Sequence, residues 1–323
     1  MPVGIDIPLT PLRELARSWG GVLDDPTDGL SIEGVLVDRV VPPEHASRER
    51  DLVPVLRARA VDAAQRCAGW LLCEEAIAAR IPSGRRWVHP NATLAMARVL
   101  TLANLIAAAD ERERAVIDPT ARLHPSVKVG AFAVIRADVE IGADSVIAAH
   151  AVIEPRTRIG SRVTIGSHAV IGRPGFGWVQ DRHGVVRVPQ LGGVEIEDDV
   201  DIGPFCTVDS GTLSPTRLKR AVKLDAHVHV GHNVEIGAGT IVAAQSGFAG
   251  SSKIGSGVMI GGQAGFADHV HVGDGARVAA KSGVIGDIEA ATTVAGYPAI
   301  PRFEWLRAWA KLIGLGRPRN DPR

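Results

Sequence analysis

Large apolar residues return at every sixth position along two stretches of the chain. Leu123, Val129, Ile135, Ile141, Ile147, Ile153, Ile159, Ile165 and Ile171 follow one another without a slip. Leu224, Val230, Ile236, Val242, Phe248, Ile254, Ile260, Phe266, Val272, Val278 and Val284 form a second run, which ends near Ile288. Glycine directly follows several of them, as at Gly231, Gly237, Gly255, Gly261 and Gly273. Helices repeat every 3.6 residues and strands every 2, so neither predicts a period of six. A hexapeptide repeat does, because each short parallel strand sends one apolar residue inward before a turn carries the chain round a triangular coil. The pattern predicts a solenoid over residues 120–290. It is interrupted at 173–191, a segment with turn signals and the aromatics Phe176 and Trp178, and again at 209–217. Insertions in a solenoid emerge as loops, commonly on one binding face.

The flanks lack this period. Residues 1–110 read as a small α/β domain. Leu12, Leu15, Ala16 and Trp19 lie at helical spacing before Gly20-Gly21, and β-like pieces follow at 30–37 and 69–72. Asn91 is placed to cap a second helix carrying Leu94, Met96, Val99 and Leu100 towards residue 109. The charged run at 110–114 reads as a solvated connection. Beyond the last coil, residues 296–323 form an extension. Its GYPAIP segment is a bend, and Phe303, Leu306, Trp309, Ala310 and Ile313 mark an amphipathic helix that caps the open end or packs on a neighbouring subunit.

Composition agrees with a narrow β core. The 323 residues are 46% apolar but only 4% aromatic, with 36 glycines, so the core must come from small branched side chains. Lys+Arg and Asp+Glu balance at 36 each, which gives no reason to expect a nucleic-acid partner. Cys67, Cys73 and Cys206 fit no disulfide framework or metal-ligand spacing. No basic, continuously apolar leader opens the sequence and no apolar run is long enough to span a bilayer. The expectation is a cytoplasmic protein without a transmembrane segment.

Chemistry concentrates in the second run, where His227, His229, His232, His269 and His271 fall. Three hexads make a coil, so residues eighteen apart stack on one edge. His232 is thereby aligned with Gly250 and then Asp268, beside His269. At roughly 4.8 Å per strand the two histidines are about 10 Å apart, flanking a notch at Gly250. His232 is the candidate general base, since an imidazole with a pKa near 6.5 takes a proton at neutral pH, and Asp225 is the nearby carboxylate to orient it. His227-x4-His232 also resembles half of the zinc site in the hexapeptide-repeat carbonic anhydrases, but no third histidine stands in an equivalent earlier position, so no metal is expected. A prism has no deep cavity of its own, which argues for an oligomer, most naturally a homotrimer.

The segments LRELARSWGGVL, GFGW with VPQLGGVEIEDDVDIG, VDSGTL, VKLDAHVHVGHNVEIG, KIGSGVMIGGQAGFADHVHVGDGARV and GYPAIPRFEWLR, in this order, resemble the UDP-3-O-(3-hydroxyacyl)glucosamine N-acyltransferases of lipid A biosynthesis. That resemblance implies a mainly β fold: a left-handed parallel β-helix of hexapeptide repeats, with a small N-terminal α/β domain that is nucleotide-binding-like and a C-terminal helix. It implies a homotrimer that moves a 3-hydroxyacyl group to the 2-amino group of a UDP-3-O-acylglucosamine. The donor would be phosphopantetheine linked to acyl carrier protein, with no bound cofactor. Carried over, His232 is the general base, His269 assists near the thioester and Asp225 orients the base. Gly250, Asn233, Phe176 and Trp178 are substrate-binding, and Gly250 could offer its N–H to the oxyanion. Pro54 and Ala60 stand about where the family presents aromatic residues for stacking on uracil, Ala226 replaces an asparagine and Ser210 an arginine. Two further readings stay open: an acetyl-CoA-dependent acetyltransferase acting on another nucleotide-linked amino sugar, and a non-catalytic trimeric relative.

Overall fold

The computed structural model describes residues 3–24, 34–81, 84–103, 110–296 and 301–315. The chain divides into two compact units, residues 1–107 and 108–323.

The first unit is a six-stranded mixed sheet. Its strands β1 (Ile5–Pro11), β2 (Val22–Asp24), β3 (Leu36–Val40), β4 (Asp51–Val55), β5 (Trp70–Cys73) and β6 (Arg86–Val88) lie in the order β1-β3-β4-β5-β6-β2. β3 to β6 run parallel, and the two edge strands are antiparallel to their neighbours. Helix α1 (Leu12–Trp19) stops at Gly20, whose φ of 91° is open to glycine at little steric cost. The short helices α2 (Val61–Ala64) and α3 (Glu75–Ala78) join the parallel strands. Helix α4 (Ala92–Thr101) begins at Asn91, whose side-chain oxygen accepts from Leu94 N at 2.9 Å, the cap its sequence predicts. The strand expected at 30–37 starts later, at Leu36, and residues 30–33 of that expectation and 104–109 of the second helix lie outside the described residues. Trp70, Trp87, Leu52 and Leu12 fill the core.

The second unit is the solenoid. Among the described residues its strands form three parallel sheets of nine, eight and nine strands. Partners are eighteen residues apart, as Val134 with Val152 and Ile241 with Met259. The period-six residues point inward almost without exception. Each hexad also buries a second, smaller residue two positions earlier, as Val127, Ala133, Val139, Ala151 and Val163. Where that position is polar, the hydroxyl is used. Ser145 Oγ donates to Gly160 O at 2.9 Å and accepts from Val163 N, and Thr240 does the same with Gly255 O and Val258 N.

Both interruptions leave the ladder intact. Val170 pairs with Thr207, 37 residues on, so the first adds nineteen residues to a coil. Thr207 pairs with His229, 22 residues on, so the second adds four. The first loop carries an antiparallel hairpin, Trp178–Asp181 against Gly184–Arg187. At the corners one residue per turn takes positive φ, and on one edge these residues are Phe132, His150, His168, Phe205 and His227. Their rings stack in a continuous ladder with centroids 4.8–5.2 Å apart. Arg114 lies over its first ring.

Helix α5 (Arg302–Leu315) forms as its spacing predicts, but every residue along it is exposed. It therefore does not cap the solenoid of its own chain. The bend before it, residues 297–300, lies outside the described residues.

Candidate active site

His232 occupies a corner of the coil, just beyond the strand His229–Val230. Its ring lies across Gly250 one coil on. A Cβ at Gly250 would lie 2.5 Å from His232 Nε2, so the glycine leaves the room that the imidazole occupies and any larger residue would displace the ring. The notch read from the sequence is thus filled by the ring itself rather than left open for substrate. Gly175, in the first insertion, presses from another side, since a Cβ there would meet His232 Cβ at 2.7 Å. Phe176, the residue after Gly175 on the insertion, is 79% exposed. Trp178 stands on the hairpin, with Arg187 over its ring at 5.7 Å.

The orientation of His232 comes from Asn233. His232 Nδ1 is 3.2 Å from Asn233 Oδ1. Asn233 Nδ2 donates to Ser214 O at 2.9 Å, and Oδ1 accepts from Thr212 N at 3.0 Å. These bonds fix which end of the amide is oxygen. In the neutral ring Nδ1 of His232 then carries the hydrogen and Nε2 the free lone pair, the form a general base requires. Thr212 in turn reaches Gln190 Oε1 at 2.8 Å, so both insertions brace one amide.

Asp225 does not perform the role expected of it within one chain. Its carboxylate accepts from Ala226 N at 2.7 Å and Ala244 N at 3.2 Å, at the corner before His232. Asn233, expected to touch substrate, is instead committed at both ends to the protein. His269 is exposed, at a corner with φ of 58°, and its N–H donates to Gly250 O at 3.1 Å. His227 turns into the stacked ladder against Phe205, on a different corner from His232, so these two do not form the half zinc site that their spacing suggested.

The structure adds a second polar group, one that the sequence reading does not contain. Asp209 is 1% exposed and receives Arg173 Nε at 2.6 Å. Arg173 opens the first insertion. His229 Nε2 lies 3.9 Å from the same carboxylate, while its Nδ1 meets Thr207 Oγ1 at 2.7 Å. Burial lowers the pKa of His229 below its ordinary value; Asp209 opposes that shift and Arg173 adds to it. The available signal was an arginine and an aspartate in stacked coils, hidden by the nineteen inserted residues. Beyond His229 the same outer face carries Gly247, Gly265 and Gly283 in register, leaving an open strip.

Comparison with known proteins defines the class first. Residues 120–155 match the family described as bacterial transferase hexapeptide (six repeats). The UDP-N-acetylglucosamine O-acyltransferase of Moraxella catarrhalis superposes with a TM-score of 0.54 at 25% identity, over 64% of this chain and 86% of that one. The UDP-N-acetylglucosamine acyltransferase of Campylobacter jejuni gives 0.52 at 25% identity, over 64% and 84%. The fold is a left-handed parallel β-helix of hexapeptide repeats, with a small N-terminal α/β region and a C-terminal helix. Among curated proteins the chain is similar to two enzymes named UDP-3-O-acylglucosamine N-acyltransferase. That of Syntrophobacter fumaroxidans is 49% identical over 153 residues, 47% of this chain and 43% of the relative. That of Syntrophotalea carbinolica is 51% identical over 149 residues, 46% and 43%. The matched stretch spans less than half the length of these curated relatives.

Proposed function

We propose that the protein is an N-acyltransferase that moves a 3-hydroxyacyl group from acyl carrier protein to the 2-amino group of a UDP-3-O-acylglucosamine, working in the cytoplasm as a homotrimer. One observation carries the reading. A histidine whose Nδ1 faces the Asn233 amide oxygen presents Nε2 beside a glycine, in a solenoid similar to enzymes named for this reaction.

An amine attacks a thioester only when unprotonated. Nε2 of His232 would take the proton as the carbon–nitrogen bond forms, and the tetrahedral oxyanion would find a donor in the Gly250 N–H. Collapse expels the pantetheine thiolate, which takes the proton that His232 accepted from the amine, so the base is regenerated. His269 would sit on the donor side, and the open strip beyond His229 suits an extended acyl chain. No covalent enzyme intermediate enters this scheme. Phe176 and Trp178, presented on the insertion beside His232, are proposed to cover the substrate.

The test offers the purified protein UDP-3-O-acylglucosamine with 3-hydroxyacyl carrier protein, and separately acetyl-CoA. Carrier-dependent N-acylation is expected, and His232→Ala should lower kcat by about 10²–10⁴-fold. Turnover with acetyl-CoA alone would favour an acetyltransferase instead. Full activity without the imidazole would remove the base assignment.

A further inference from the structure

The N-terminal unit contains a cavity of about 470 Å³, within the size range of small-molecule sites. It exists because β3 stops short. β3 pairs with β4 only at Arg39 to Asp51 and Val40 to Leu52, and Val41 N then donates to Leu52 O. Polar backbone groups alternate along a strand, so residue 54 faces the same side as residue 52, beyond the end of β3. That residue is proline. It has no N–H to leave unpaired, which is why it is tolerated on an inner strand. Pro42 and Pro43 carry the chain away from the gap and also line it.

The chemistry of the lining is one-sided. Its floor is Val40, Val41, Ala60, Met96 and Leu100, and its mouth carries exposed Val3, Ile5 and Leu56. Among the described lining residues there is no Ser, Thr, Asn or Gln. The charged groups are Arg57, Arg59 and Glu44, and among the described residues neither guanidinium has a carboxylate partner. Pro54 and Ala60, the positions at which the sequence resemblance places rings for uracil, both belong to this lining. A uracil buried here would bring two carbonyl oxygens and an N–H into a wall with three prolines and no neutral polar side chain, and unpaired polar groups are costly to bury.

From the stopped strand, the apolar floor and the two guanidiniums at its rim, we infer that this cavity binds a single-chain amphiphile with an anionic head, its alkyl chain against Val41, Met96 and Leu100 and its head at Arg57 and Arg59. The inference is independent of the acyl-transfer reading, because it concerns binding to residues of the first unit and needs no turnover.

The test uses the full chain and equilibrium dialysis of dodecyl phosphate below its micellar concentration, with laurate, dodecanol and UMP as comparison probes. One saturable site is expected for dodecyl phosphate. Arg57→Ala combined with Arg59→Ala should weaken it at least tenfold and bring it to the level of dodecanol. Both residues are exposed, so that variant should keep its fold, checked by the near-ultraviolet signal of buried Trp70 and Trp87. Ala60→Trp should fill the cavity and abolish binding. Laurate binding alongside dodecyl phosphate identifies the head only as an anion, and dodecyl phosphate alone identifies a phosphate; both support the site. Three results overturn it: no saturable binding, binding unchanged in the arginine or Ala60 variants, or displacement by UMP at equal or lower concentration.

Discussion

His232 and Gly250 are separated by one coil, yet the ring of one rests on the Cα of the other, and this contact sets what each can tolerate. Gly250→Ala would push Nε2 aside by a fraction of an ångström to an ångström, and misplacement on that scale costs about 10²-fold in rate. We expect Gly250→Ala to lose about that factor in kcat with its melting temperature nearly unchanged, as measured by steady-state kinetics and calorimetry. A retained kcat would show that the ring can shift without consequence. His229 makes a different prediction, one of stability. Its folded pKa is depressed, chiefly by burial, so below about pH 6.5 the unfolded chain binds a proton that the folded chain resists. The contribution is therefore complete above that pH and is lost as pH falls from there through the lower folded value. Urea midpoints measured from pH 7.5 to pH 5 should show a drop that is smaller in His229→Gln. An equal slope in both would assign the drop to other groups. Neither contact is legible in the sequence: spacing aligns His232 with Gly250, but gives neither the direction in which the ring lies nor the amide that holds it.

Elements are more legible than side-chain roles, and the reason is physical. A period of six forces every large apolar residue inward, so Leu224 to Val284 can be assigned without any knowledge of neighbours. The second buried position escapes that reading because small or polar residues such as Ser145, Ala151 and Thr240 carry no hydrophobic signal, and the hydroxyls are buried through hydrogen bonds to the next coil. The Arg173–Asp209 pair escapes it because an insertion of nineteen residues breaks the arithmetic that brings stacked residues together. The corner ladder is hidden for a third reason: its members mix Phe with His, and only their common positive φ reveals a row. Phe205 stacks on His168 and His227 at 4.9 and 5.0 Å. Removing it should cost about 1–2 kcal/mol, since aromatic pairs contribute roughly 0.5–1.5 kcal/mol each. Its φ of 58° adds a second, separable effect. Alanine there keeps the left-handed strain of about 1 kcal/mol while glycine relieves it. Phe205→Gly should therefore unfold at higher denaturant than Phe205→Ala, the reverse of the order found at an ordinary strand position. The usual order would mean that the corner relaxes when the ring is gone.

At the scale of the molecule, the proposed pairing of Asp225 with His232 requires a second subunit, because their own chain keeps them on separate corners. A prism exposes its corners in different directions, and a trimer set about a three-fold axis brings one corner of each chain against another corner of its neighbour. On that arrangement Asp225 of one subunit would approach His232 of the next, while Asn233 orients the ring from within. Sedimentation should then give about three times the chain mass of 34.0 kDa. The sharper test is complementation. Asp225→Ala and His232→Ala should each be nearly inactive alone. Assembled together in equal amounts, a subunit that keeps His232 can meet a neighbour that keeps Asp225, which regenerates about a quarter of the native sites in a random trimer. If both residues served a site within one chain, no mixed trimer could contain an intact site and the mixture would stay inactive. Recovery near a quarter of the native rate thus assigns the aspartate to the neighbouring subunit, and its absence, with trimers present by sedimentation, assigns both residues to a site within one chain.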